Sequence, residues 1–141
     1  MANDLNTVSM LGQAYSLLGF QIVDGVVGAG YPHKPKHSAV FAQISPDGSR
    51  LTELARRANM TPQSMAELVD ELVDMGYVVR RPDPGDGRAK LIVLTKRGRG
   101  AVAAGRQTIE GIEGQVTDIL GEHGHHELRR LLSKLLEATD A

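Results

Sequence analysis

The residues best suited to chemistry lie between Thr61 and Arg99, and the chemistry they suit is recognition of anions and base edges. Thr61 and Pro62 form a helix start. A threonine hydroxyl accepts a backbone N–H of the first turn, and proline at the first helical position lacks only an N–H that would be unpaired there. Gln63 and Ser64 follow, an amide with paired donor and acceptor and a hydroxyl, both matched to base edges or phosphate oxygens. A single helix fits the major groove of a duplex, and its first N–H groups can meet phosphate. Residues 61–71 therefore read as a groove-facing helix, with Glu67 able to accept from cytosine N4. The plain structural reading of the same residues is a capped helix facing solvent.

A second set of charges follows. Residues 80–99 hold seven Lys or Arg against two Asp, a local balance of +5. Arg88 suits a minor groove or phosphates, aided by Arg80, Arg81 and Lys90. Asp86 reads as an organiser of the same segment, holding Arg88 by a charge-assisted bond. The plain alternative is a solubilising hairpin. The whole chain of 141 residues is nearly neutral at −1, because a +4 middle (34–99) lies between ends of −2 (1–33) and −3 (100–141). A polyanion site is thus expected locally and not over the whole surface.

Other chemistries find little support. The absence of Cys excludes disulfides, thiolate metal sites and cysteine redox sensing in this chain. No GxSxG elbow, GxxxxGK loop or HExxH pair occurs, so an enzyme is not expected. His33 and His37 are separated by Pro35, which interrupts any shared helical face. His123, His125 and His126, with Glu122 or Glu127, offer an imaginable metal cluster, but without a ligand motif they read as surface or capping histidines, and no metal or cofactor is expected. No stretch approaches 18 apolar residues and no basic start precedes an apolar run, which favours a cytoplasmic protein with no membrane partner.

These residues need elements to hold them. A hydrophobic fraction of 41% against 23% charged supplies one folded core. Leu11, Tyr15, Leu18 and Ile22 recur at helical spacing and predict a first helix with one buried seam, weakened at Gly25, Gly28 and Gly30. A short helix is expected over 36–44 and another over 51–58. Met65, Leu68, Val69 and Leu72 form the inward stripe of a helix over 62–75, with Gly76 as its stop. Residues 77–81 and 90–94 are strand-prone around a turn-rich 82–89, giving a hairpin. Thr95 caps a long helix, and a final amphipathic helix follows Gly121 and Gly124.

The ordered block from 50 to 98 resembles the MarR-type transcriptional regulators, which are winged helix-turn-helix proteins. Leu51-Thr52-Glu53-Leu54-Ala55 is similar to the first helix of their motif. Thr61-Pro62-Gln63-Ser64 with Leu68-Val69-Asp70-Glu71-Leu72 and Gly76-Tyr77-Val78 is similar to the recognition helix and its exit. Arg80-Arg81, Asp86-Gly87-Arg88 and Leu94-Thr95-Lys96-Arg97-Gly98 resemble the wing and the return to helix. The resemblance implies a mainly α fold with a small β-hairpin wing, a single MarR-like domain over 1–141, and a winged helix-turn-helix DNA-binding region over 34–99. It also implies a homodimer joined through helical regions 5–30 and 100–138, gripping palindromic double-stranded DNA, with Lys90 and Arg97 near phosphates.

A small amphipathic or aromatic anionic effector is implied in the same way, in a cleft to which Tyr15, His37 and Phe41 contribute and whose edge Arg50 approaches. Such a protein would be a ligand-responsive repressor. The chain departs from the family in carrying acids at Glu67 and Glu71, where Arg is frequent. That departure favours one alternative, a winged-helix dimer serving as an interaction protein with weak or lost sequence-specific DNA binding.

Overall fold

The Thr61–Pro62 pair starts a helix as its chemistry predicts. In a computed structural model, which describes residues 4–139, the Thr61 hydroxyl accepts the Ser64 N–H at 3.1 Å and Pro62 occupies the first turn. The elements in chain order are α1 (Thr7–Gly28), a 3-10 turn (Pro35–His37) running into α2 (Ser38–Phe41), β1 (Ser49–Arg50), α3 (Leu51–Arg57), α4 (Pro62–Asp74), β2 (Val78–Asp83), β3 (Asp86–Leu94) and α5 (Lys96–Thr139). The fold is mainly helical, with a three-stranded antiparallel sheet in the order β1-β3-β2.

The inward stripe of α4 is the one its spacing predicts, since Met65, Leu68, Val69 and Leu72 are all buried. They meet Leu54 and Ala55 of α3, Val40 of α2, Val78 and Ile92 of the sheet and Ala101 of α5 in one core. Gly76, at φ 83°, turns the chain out of α4 into β2. The hairpin is longer than expected. Its strands run to Asp83 and from Asp86, so the turn is only Pro84-Gly85 instead of the whole 82–89 stretch. The two-residue β1 lies outside the expected hairpin. It is held by antiparallel pairing of Ser49 with Ile92 and Arg50 with Leu91.

The first helix corrects its expected seam. Leu11 and Tyr15 are exposed, Leu18 and Ile22 are half-buried, and among the described residues of α1 only Val26 is buried. The helix also continues through Gly25 to Gly28, because Gly25 is where α1 lies against Thr108 of α5. The N-terminal half of α1 thus extends its apolar residues past the core formed within the chain.

At α5, Thr95 caps as expected: its hydroxyl accepts the Gly98 N–H at 3.1 Å and donates to the Gly76 carbonyl at 2.6 Å. A Cβ at Gly98 would sit 2.0 Å from the Tyr77 carbonyl oxygen. Backbone cannot move aside as a side chain can, so Gly98→Ala is expected to destabilise the fold by about 1–3 kcal/mol in denaturant unfolding. The helix breaks at Gly121, with φ 76° and ψ 164°. His125 then reaches back to the Thr117 hydroxyl at 2.8 Å and to Glu113 at 2.9 Å. In a straight helix those residues would be roughly 12 and 18 Å apart along the axis. The last arm therefore folds back on the first, and His125 ties the two together.

Candidate nucleic-acid interface and adjoining cavity

The start of α4 is open to solvent, with Thr61, Pro62, Gln63 and Ser64 all exposed. The Thr61 hydroxyl also donates to Ser64 Oγ at 3.0 Å, so these two side chains are engaged with each other. Gln63 keeps its amide free among the described residues. The sequence-derived readers therefore sit together, and Gln63 offers the unspent hydrogen-bonding pair.

The wing beside them sorts its cations by strand parity. Val78 packs in the core, and Arg80, two residues on along the same face, reaches back to Asp70 of α4 at 2.6 Å. Arg81, Arg88 and Lys90 are exposed and have no side-chain partner among the described residues. Asp86 organises the tip through the Arg88 backbone N–H at 3.1 Å, and not through the guanidinium as its charge suggested. That leaves the guanidinium free. At the wing base Arg50 gives both Nε and Nη2 to Asp83 Oδ2, at 2.9 and 2.7 Å, while Asp83 Oδ1 accepts the Gly85 N–H.

One expected residue of the cleft is thereby corrected. Arg50 does not line the cleft, because the pairing of β1 with β3 carries it to the wing. Arg97 was expected near phosphate. Arg97 is exposed, and its guanidinium stacks on the Tyr77 ring, 4.7 Å from the centroid, with Nη2 donating to the Tyr77 hydroxyl at 3.3 Å. Tyr77 is fully buried, and its hydroxyl donates to the Pro32 carbonyl at 2.6 Å. The sequence marks Tyr77 as part of the helix exit and the first residue of a strand-prone run, not as a core aromatic.

Behind α4 lies a cavity of about 930 Å³, lined among others by Tyr15, His33, Phe41, Met60, Glu67 and Arg106. Tyr15 and Phe41 are there as expected. His33 packs edge-on against Phe41, which packs edge-on against Tyr77, with centroids 5.5 and 5.3 Å apart. His37 is corrected: it does not line the cavity. Its ring, 2% exposed, lies between the Lys34 N–H and Glu71. Sequence reasoning missed Arg106, Met60 and the α4 face at Ser64 and Glu67 as cavity walls. Their only signal is convergence of α1, α2, α4 and α5, which no local pattern carries.

Glu71, read from sequence as an acid approaching the duplex, turns aside. One carboxylate oxygen accepts from Lys36 Nζ at 2.8 Å and the other from His37 Nε2 at 2.7 Å. The hydrogen bond from Lys36, then that from His37, hold its carboxyl below the usual range. Asp83 is lowered by the Gly85 N–H and then by Arg50, Glu53 chiefly by Arg56, and Glu127 chiefly by Arg130. A carboxylate whose pKa is depressed by folding stabilises the native state above its unfolded pKa, and that contribution is lost as pH falls through the folded value. Thermal stability is therefore expected to fall progressively below about pH 4, and Asp83→Asn to flatten that dependence when Tm is followed against pH.

The MarR family model matches residues 34–89, from the turn before α2 to the wing. Over this part of the chain the sequence is similar to the MarR family, and the residues fold as a winged helix. Over 88 residues the chain is 33% identical to the HTH-type transcriptional repressor Rv2887 of Mycobacterium tuberculosis. That match spans 62% of this chain and 63% of the relative's length. Among solved structures, a probable transcriptional regulator from Pseudomonas aeruginosa superposes with TM-score 0.75 at 26% identity, over 94% of this chain and 98% of that one.

The same winged-helix fold occurs in Rv2887 complexed with p-aminosalicylic acid (TM-score 0.67, 23% identity, 93% and 98% coverage). It occurs again in the repressor CouR, from Rhodococcus jostii RHA1, bound to a 23-mer DNA duplex (TM-score 0.67, 23% identity, 94% and 98% coverage). In this winged helix, α3 and α4 are the helix-turn-helix pair and β2–β3 the wing. Among the described residues no helix is long and apolar enough to cross a membrane, and no three His, Cys, Asp or Glu gather as a metal set.

Proposed function

We infer that the chain is a cytoplasmic, homodimeric, sequence-specific DNA-binding transcriptional regulator, a ligand-responsive repressor reading a palindromic operator. It acts by binding and not by catalysis. The observation that carries this reading is the open start of α4, with Gln63 unspent, beside a wing whose Arg81, Arg88 and Lys90 have no internal partner among the described residues. One element suits base edges in a major groove and the other suits the backbone beside it. The DNA complex of CouR and the repressor name of Rv2887 support extending that role to this chain.

The dimer follows from surface that a single chain leaves wet. Val8, Tyr15, Leu17 and Phe20 on α1 are exposed by 68–79%, and Ile119 and Leu136 on α5 by 79% and 68%. Apolar patches of this kind favour a partner surface, and a second copy covering the regions 5–30 and 100–138 would aim two α4 helices at one duplex. Region 34–99 then does the reading. The cavity beside Tyr15 and Phe41 takes the effector, a small amphipathic or aromatic anion. The p-aminosalicylic acid complex of Rv2887 supports that class.

Selection of duplexes from a random pool by the purified protein tests the reading. The expected product is a palindrome with half-site centres about 34–36 Å apart, bound by a dimer in sedimentation. Comparable weak binding to every duplex would instead favour the interaction-protein alternative.

A further inference from the structure

The link between Glu71 and the 34–37 turn is the one charged connection from the cavity wall to the middle of α4, among the described residues, that neither base reading nor core packing accounts for. Glu71 lies one helical turn past Glu67, and its carboxylate is fully used: Oε1 by Lys36 Nζ at 2.8 Å, Oε2 by His37 Nε2 at 2.7 Å. His37 is committed on its other side as well, because its Nδ1 accepts the Lys34 N–H at 3.0 Å. That bond leaves the ring proton on Nε2, where it can only be given to Glu71. The ring is 2% exposed, while the Glu71 side chain it meets is 42% exposed. The turn is anchored in turn by Val40 of the following α2, which is fully buried. Lys36 and Glu71 both lie on the cavity surface.

Resting on the DNA-reading role of α4, we propose that Glu71 is a positioning residue for that helix: clasped by Lys36 and His37, it sets the angle at which Gln63 and its neighbours meet a duplex. A carboxylate merely close to DNA would repel phosphate, so its removal would tighten binding. A positioning clasp predicts the opposite sign. The side chain acts through the 34–37 turn, of which Pro35 and Lys36 line the cavity.

The test compares wild type, Glu71→Gln, Lys36→Met and the double variant. Glu71→Gln keeps the side-chain shape and an oxygen for His37 but discards the charge that holds Lys36. Two readouts are taken: affinity for the duplex recovered by selection, over a range of salt, and amide hydrogen exchange of residues 66–74 without DNA. The expected result is roughly fivefold to tenfold weaker duplex binding by Glu71→Gln, an unchanged salt slope, and faster exchange in 66–74 with exchange over 100–112 unaltered. The double variant should bind no more weakly than Glu71→Gln alone, since both changes open one clasp.

Binding by Glu71→Gln as tight as wild type or tighter overturns the proposal, as does unaltered exchange in α4 or strict additivity of the two changes. A wild-type protein that selects no duplex sinks the regulator reading instead. The exchange of 66–74 then decides the clasp by itself.

Discussion

Replacing Tyr77 by alanine is expected to cost the folded state about 3–5 kcal/mol, the scale of an aromatic truncated in a close-packed core. Tyr77 is 0% exposed and sits where α4, the wing and α5 meet. Its N–H bonds the Leu72 carbonyl at 2.9 Å, closing α4, and its carbonyl accepts the Thr95 N–H at 3.0 Å, opening α5. Its ring packs edge-on against Phe41, with interplanar angle 85°, and carries the Arg97 guanidinium. Alanine would leave a cavity under all three and strand the Pro32 carbonyl that the hydroxyl bonds. Tyr77→Phe isolates that last contribution, with an expected loss of about 1 kcal/mol. Denaturant unfolding of the two variants measures both, and a Tyr77→Ala protein as stable as Tyr77→Phe would refute the assignment of Tyr77 as the packing node.

The second large effect is on DNA. Changing Arg81, Arg88 and Lys90 together to alanine is expected to weaken duplex binding on the order of a hundredfold at low salt and to lower the salt slope by about three, one for each phosphate no longer neutralised. The weakening should be similar for selected and unselected duplexes, because backbone recognition carries no sequence information. Arg80→Ala provides the internal contrast. Its guanidinium is already held by Asp70 at 2.6 Å, so its removal should change the slope by less than one. Titrations over a salt series read both variants. A triple variant with the wild-type slope would mean that the wing does not touch the duplex.

Both predictions depend on which cations are spent inside the chain, and that was only half legible in the sequence. The +5 balance of residues 80–99 marked a basic edge correctly, but composition treats Arg80, Arg81, Arg88 and Arg97 alike. Strand parity and the position of Asp70 separate Arg80 from Arg81. The buried aromatic at Tyr77 engages the Arg97 guanidinium, which stays exposed. The apparent conflict posed by an acid at Glu71 disappears for a similar reason, since its partners come from a turn far away in the chain.

What the sequence determined by itself is what neighbouring residues decide. The Thr61–Pro62 start, the buried stripe from Met65 to Leu72, the stop at Gly76, the hairpin and the break at Gly121 all follow from capping, helical period and turn geometry acting over a few residues. Tertiary structure alone decided the clasp of Lys36 on Glu71, the Arg50–Asp83 pair and the Tyr77–Pro32 bond, whose partners are 35, 33 and 45 positions apart. It also decided the cavity and the two-residue β1, which exists only because β3 passes beside it. Pairings over such separations depend on how whole elements pack, and a side chain's local neighbours hold no record of which distant group will come within hydrogen-bond reach.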